Sequence, residues 1–326
     1  MKILYLTDTH IRGTSPKNRK DDFSYTLEKK LYEITEIIRQ NNIDFVLHGG
    51  DLFDRPDISV SIVSRFAKVF TDIHIPVYMI SGNHDVYGHN PKTLNRTMMG
   101  LLNELGILNI VNEEEKIILE KDGIRVQLTG QPYVYDIDDP INRRYYIVDE
   151  VLDDVDYSIH MVHGMLLDRP FIKGIPYTLV DDIKDTLADI TLSGHYHSGF
   201  KEIMIDGKYF INPGSIVRIS NSIKEMERRP KVLIIELTDK IQTSYIYLKT
   251  AEDGEKVLDR EEIQKNLYKR ERILEFKQTI DATLSFDKMD INDVLIEMSN
   301  AEEVEEQVKS EALRRIAMVQ MREDIE

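Results

Sequence analysis

Five short polar clusters, each entered from an apolar run, constrain this chain more than any other feature. They are Asp8-x-His10, Gly50-Asp51-x-x-Asp54, Gly82-Asn83-His84-Asp85, His163-Gly164 and Gly194-His195-x-His197. The runs before them, at 2–7, 43–47, 76–80, 157–162 and 190–193, are short and continuous, as the buried strands of a parallel sheet are. Between the first three clusters the apolar spacing becomes helical. Phe23, Leu27, Leu31, Ile34, Ile37 and Ile38 mark a helix over 22–40, and Val60, Val63, Phe66, Ala67 and Phe70 mark a second beyond Pro56. Strand, polar loop and helix in repetition predict an α/β sheet, whose ligands sit outside the carboxyl ends of its strands.

The next stretch reads as β structure at 116–120, 124–128 and 145–148, with hairpins over 202–212, turning at Asp206-Gly207, and over 231–248, turning at Asp239-Lys240. From about 251 the texture changes. Glycine stops after Gly254, proline is absent, and Val304, Val308, Ala312, Ile316 and Val319 form a helical stripe. The expected organisation is a catalytic domain over 1–250 and a helical C-terminal tail over 251–326.

Composition narrows the chemistry. The 326 residues include no cysteine, which excludes a thiol nucleophile, a thiolate zinc site, an iron–sulfur cluster and disulfides, and makes a reducing cytoplasm the expected location. No apolar run approaches the ~20 residues of a membrane span, and Asp8 and His10 interrupt the N-terminal run too early for a signal peptide. A net charge of −16 argues against a surface that attracts nucleic acid everywhere, though not against a local basic site. Much of that charge is in the tail, where 251–326 carries 21 acidic against 12 basic side chains.

The clusters hold five of the nine histidines. Their types and order fit a centre of two divalent metal ions: Asp8, His10 and His197 around one, Asn83, His163 and His195 around the other, and Asp51 bridging with its two oxygens. In an extended backbone, residues i and i+2 face one way, so Asp8 with His10 and His195 with His197 are expected to converge. Imidazole, carboxylate and amide without thiolate suit Mn²⁺, Fe²⁺ or Zn²⁺ better than Ca²⁺ or Mg²⁺. Two such ions stabilise the entering and leaving oxygens of a displacement at phosphorus and turn a shared water into hydroxide. His84 is left over as the candidate acid or charge stabiliser, with Asp85 as the candidate to orient its ring.

In order and rough spacing over residues 1–215, the five clusters resemble the motif series of the calcineurin-like metallophosphoesterases. Arg19-Lys20-Asp21-Asp22-Phe23, Gly49-Gly50-Asp51-Leu52-Phe53-Asp54-Arg55-Pro56 and Asn212-Pro213-Gly214-Ser215 resemble the SbcD-like DNA repair exonuclease branch. The resemblance implies a four-layer fold of two packed mixed β-sheets flanked by helices. It also implies Mn²⁺-dependent exonuclease and endonuclease activity on DNA, and an SbcC-like coiled-coil ATPase partner. The tail stripe suits folding back on the catalytic domain, docking that partner or docking a second copy of the chain, and the resemblance favours the partner. The family's capping domain, which follows the Pro-Gly-Ser turn, is reduced here to little more than a hairpin and the tail. A phosphatase, or a cyclic-nucleotide or other small-molecule phosphodiesterase, on the same centre is the alternative function, and a non-catalytic binding scaffold is a third.

Other polar residues carry plainer expectations. His48, His74, His89 and His160 are expected to be structural or surface residues, and Asp54 to fix a loop. The basic segments from Arg12 to Lys20 and from Lys224 to Lys231 read equally well as phosphate contacts and as solvated loops.

Overall fold

Along the first strand, Ile3 and Tyr5 face one way and Leu4 and Leu6 the other, and all four are buried. That two-sided burial organises the protein, seen here in a computed structural model that describes residues 1–172, 174–220 and 222–259, together with 261, 264, 265, 268, 269, 272 and 273. The strands are β1 (Lys2–Leu6), β2 (Phe45–His48), β3 (Val77–Met79), β4 (Asn109–Ile110), β5 (Lys116–Lys121), β6 (Ile124–Gln131), β7 (Tyr157–Val162), β8 (Leu166–Leu167), β9 (Thr178–Leu179), β10 (Ile190–Ser193), β11 (Ile203–Ile205), β12 (Lys208–Ile211), β13 (Lys231–Leu237) and β14 (Ile241–Tyr247). One six-stranded sheet runs β14-β13-β1-β2-β3-β4 and the other β11-β12-β10-β7-β6-β5, while β8 and β9 pair separately. In the first, β1 to β4 are parallel and β13 and β14 antiparallel; in the second, β6, β7, β10 and β12 are parallel and the two edges antiparallel.

The two sheets pack face to face through Ile3, Tyr5 and Leu47 on one side and Leu128, Ile159, Met161 and Leu192 on the other. Each such side chain contributes about 1.5–3 kcal/mol by leaving water. The opposite face of the first sheet, with Leu4, Leu6 and Val46, is covered by α1 (Phe23–Asn41) and α2 (Val60–Thr71). Asp22 starts α1 by accepting the Tyr25 N–H at 3.0 Å, and Asn42, at φ 51°, ends it. A third helix, α3 (Met98–Glu104), adds Met99 and Leu102 to this layer. The outer face of the second sheet, with Val162 and Phe210, is covered by Ile137, Tyr146, Val180 and Ile183, which belong to loops and short 3-10 turns.

Residues 145–148 do not form the expected strand. Pro140 and the Asp139 cap start a 3-10 helix, Pro140–Tyr146, and the buried Tyr146 hydroxyl donates to Asp138 at 2.5 Å. A short apolar, aromatic stretch serves either conformation, and here the proline start and the tyrosine anchor decide between them. Both expected hairpins form, with Asp206 and Gly207 at φ 51° and 81° in the first turn.

The chain divides into two units, Met1–Arg260 and Glu261–Glu326. The first extends past the position expected near 250, because Leu248, Ala251, Val257 and Leu258 are buried and Leu258 bridges to Arg19. In the second, the described residues are helical and exposed. The stripe from Val304 to Val319 lies outside the described residues. Among the described residues no helix is long and apolar enough to cross a membrane.

Candidate metal centre

The five clusters leave the carboxyl ends of β1, β2, β3, β7 and β10 and meet at one rim of the two sheets. Backbone bonds tie the first two together: Asp8 N donates to Gly50 O at 3.0 Å, and His10 N to Asp51 O at 3.0 Å. Contrary to the expectation of extended alternation, the pairs Asp8-x-His10 and His195-x-His197 are not extended. Asp8, His10, Asp51 and His195 have φ of 55°, 43°, 53° and 65°, in the left-handed region that costs non-glycine residues about 1–3 kcal/mol each. Gly82 is required beside them, since a Cβ there would overlap Asp51 Oδ1.

The side chains gather in three groups, two that share Asp51 and a third of His10, Asp54 and His84. Donor atoms of Asp8, His10, Asp51 and His197 lie within 4.8 Å of one another, as do those of Asp51, His163 and His195. Asp51 Oδ2 is 3.6 Å from His10 Nε2 and 3.3 Å from His163 Nε2. Asp8 Oδ1 is 3.6 Å from His197 Nε2, and its Oδ2 accepts the Thr7 hydroxyl at 2.7 Å. Asn83 Oδ1 accepts from His195 Nδ1 at 3.0 Å, which joins it to the second group. His10 Nε2 and His197 Nε2 face each other at 3.0 Å.

The protonation of these groups follows from their burial and their neighbours. His163 Nδ1 donates to Gly49 O at 2.7 Å, which leaves its buried Nε2 without a hydrogen-bond partner, aimed at a carboxylate. Burial lowers the basicity of His10 and His195 to about 3 and holds His197 well below the ordinary imidazole range, so three rings present lone pairs at neutral pH. Burial opposes charge on His163 as well, but Asp51 raises it to about 9. Burial alone would raise Asp51, yet His163, His10 and His84 hold it well below the carboxylate range. Asp8 is pushed up to about 7 by burial, against the pull of His163. Imidazole lone pairs and carboxylate oxygens converging on shared points make a cage for cations, and this nitrogen and oxygen donor set fits borderline divalent ions.

His84 stands at the edge of the first group, its ring edge-on to His10 with centroids 4.8 Å apart. Its Nδ1 donates to Asp54 O at 2.9 Å, and its backbone N–H donates to Asp51 Oδ1 at 2.9 Å. The carbonyl of Asp54, rather than the carboxylate of Asp85, therefore orients the ring. Asp85 is fully buried, and its oxygens accept the N–H groups of Leu52, Phe53 and Gly82 at 3.1, 2.9 and 2.9 Å. It locks two ligand loops together. The side chain of Asp54 takes the expected loop-fixing part by accepting from Arg12 at 3.0 Å.

Sequence reasoning missed most of the scaffold behind the site. His48 Nδ1 accepts from Gly50 N at 3.2 Å, and its Nε2 faces Thr9 Oγ1 at 3.3 Å, so this buried ring fixes the loop that carries Asp51. Ser215 Oγ donates to Asp8 O at 2.8 Å and Ser215 N to His197 O at 3.0 Å, while Asn212 donates to Gly194 O and Tyr196 O. Behind Ser215, Arg228 turns inward to Ser215 O and Val217 O and pairs with the buried Glu225 at 2.7 Å. The Asn-Pro-Gly-Ser text marked this loop, whereas Arg228 was read only as part of the basic segment from Lys224 to Lys231, with nothing to mark it as facing inward. The other basic segment is also partly structural, with Arg12 on Asp54 and Arg19 on Asp21 and Arg218 O. His160 is buried on the second sheet, hydrogen-bonded to Thr129 and Tyr145, as expected of a structural histidine.

Comparison with known proteins gives the same reading. A family model described as calcineurin-like phosphoesterase matches residues 1–199. The double-strand break repair protein MRE11 of Encephalitozoon cuniculi is 28% identical over 280 residues, covering 72% of this chain and 45% of that protein. The DNA double-strand break repair protein Mre11 of Saccharolobus solfataricus is 28% identical over 142 residues, covering 41% of this chain and 34% of the relative. The MRE11 of Arabidopsis thaliana is 25% identical over 301 residues, covering 73% and 40%. The chain thus spans less than half the length of the curated relatives it matches.

Proposed function

The chain belongs to the calcineurin-like phosphoesterases, metal-dependent hydrolases of phosphate esters, and we propose that it is a nuclease that hydrolyses DNA phosphodiesters in repair or recombination. Similarity to proteins named for double-strand break repair supports DNA as the substrate.

One observation carries the mechanism: Asp51 Oδ2 stands 3.6 Å from a histidine of one group and 3.3 Å from a histidine of the other. Asp8, His10, His197 and Asp51 would hold one divalent ion; Asp51, Asn83, His163 and His195 would hold the second, with Mn²⁺ the expected metal. Bound there, the ions supply acidification of water and charge neutralisation at phosphorus. The chain's own residues do the rest. Thr7 and the His195 N–H fix the Asp8 carboxylate, and the Gly49 carbonyl fixes the tautomer of His163. His84, held through its Nδ1–H, leaves Nε2 free, and in its imidazolium form that nitrogen can give a proton to the leaving oxygen. An SbcC-like ATPase partner on the tail and self-association both belong to this proposal, and co-purification from the native host reads them.

The test is cleavage of labelled single- and double-stranded DNA, beside a p-nitrophenyl phosphodiester, with Mn²⁺ and with chelator. The expected result is Mn²⁺-dependent DNA cleavage that chelator abolishes. Brisk turnover of the small diester with intact DNA overturns the nuclease reading. Metal titration of Asp51→Asn tests the bridge: stoichiometry should fall below two ions, and an unchanged two-ion isotherm refutes it.

A further inference from the structure

Next to the metal-capable cluster, a groove of about 490 Å³ opens between the loop after His197 and the start of β13. Ser198 and Gly199, which directly follow His197, form one wall together with Pro213 of the Asn-Pro-Gly-Ser loop. The groove is therefore built on the same two loops that carry His197 and support Asp8.

Its charge is the reverse of the molecule's. On a chain of net charge −16, Arg169, Lys201, Arg229 and Lys231 line one groove, with Asp168 the acidic side chain among the described lining residues. Asp168 lies 3.7 Å from Arg169. No carboxylate among the described residues lies within ion-pair distance of Lys201, Arg229 or Lys231. Two of these cations rest on aromatic rings instead: Arg229 is 5.6 Å from the ring centre of Tyr247, and Lys231 is 3.9 Å from that of Tyr245. Arg228, also at the wall, is committed to Glu225 and to backbone carbonyls and adds only its charge.

Cations that outnumber their counter-charges in one groove repel one another, and a ligand with regularly spaced negative charges relieves that repulsion. Tyr247, 49% exposed at the groove, adds an aromatic surface of the kind on which an unpaired base stacks. Charge beside an aromatic ring is the pattern of a single strand's track, whereas an intact duplex hides its base faces.

We propose that this groove holds the backbone of a single nucleic-acid strand whose neighbouring diester lies at the metal-capable cluster. The proposal rests on the nuclease reading for what happens at that cluster, but binding tests it independently. Full-length metal-loaded protein and the Lys201→Gln/Arg229→Gln variant are titrated with a cleavage-resistant phosphorothioate oligothymidylate over a range of salt. Both are also assayed on ordinary oligothymidylate and on a p-nitrophenyl phosphodiester. The expected result is a salt slope lower by roughly 0.7 for each cation removed, KM for the oligonucleotide raised several-fold, and unchanged turnover of the small diester. An unchanged slope and affinity in the variant, or no oligonucleotide binding by the wild type, overturns the groove assignment. A duplex bound as tightly as the single strand, with the same loss of slope, overturns the single-strand assignment. Should the wild type bind the oligonucleotide with the variant-sensitive slope yet cut no DNA, the groove stands and the nuclease reading falls.

Discussion

His10 Nε2 and His197 Nε2 stand 3.0 Å apart, on loops nearly two hundred residues apart in sequence. One ring's single N–H can fill that gap, but Asp8 and Asp51 oxygens stand 3.9 and 3.6 Å from the same His10 nitrogen and burial disfavours further protons, so a cation fills the space better. Divalent metal is therefore expected to stabilise the fold as well as supply chemistry. With metal at about a thousand times its Kd, one site contributes about 4 kcal/mol, which is a Tm rise on the order of 10 °C. Calorimetry with and without chelator reads this, and an unchanged Tm refutes the cage.

His84 is tied by its Nδ1 to the Asp54 carbonyl, outside both shared groups around Asp51. His84→Gln is expected to keep two bound ions and to lose roughly 10²–10⁴-fold in turnover. Elemental analysis beside a diester assay separates the two effects. Loss of metal in the variant would make His84 a ligand.

Asp85 accepts three backbone N–H groups and has no solvent to share them with. Asp85→Ala leaves those donors unpaired, at about 1–3 kcal/mol each, so unfolding free energy is expected to fall by roughly 3 kcal/mol or more. Asp85→Asn, which keeps one accepting oxygen, should fall between the variant and the wild type. Urea titration checks the order, and a loss under about 1 kcal/mol for the alanine variant contradicts the locking role.

His160 lies away from the metal-capable residues and sets a pH dependence of its own. Burial lowers its basicity to about 4. The unfolded chain takes up the proton near pH 6.5 while the folded chain does not. The contribution of His160 is thus complete above pH 6.5 and declines as pH falls towards 4. Between about pH 7 and pH 4.5 it should account for about 2 kcal/mol of lost stability. His160→Gln should remove that share, and parallel urea midpoints in both proteins would show that it does not.

The strands and the ligand clusters were legible because both rest on local rules. Buried parallel strands are unbroken apolar runs, and polar residues at their carboxyl ends have one rim to occupy. What sequence hid was set by distant partners. Convergence of Asp8 with His10 looked like strand alternation, yet it comes from left-handed φ that neighbouring loops impose. Asp85 sits beside His84 in sequence, but its hydrogen bonds run to Leu52, Phe53 and Gly82. Arg228 lies in a run of surface-like charges, and only the folded loop shows that it faces Ser215 and Val217. The strand expected at 145–148 failed for the same reason, since the partner that holds Tyr146 is Asp138.

Ser215 clasps the loops of Asp8 and His197 from behind, and Arg228 in turn holds Ser215. During synthesis the earliest of these residues leaves the ribosome long before the last. A nascent chain that stops just short of Arg228 therefore carries every donor and the clasp itself, yet lacks the residue that holds the clasp, and the centre takes its final form only late in translation.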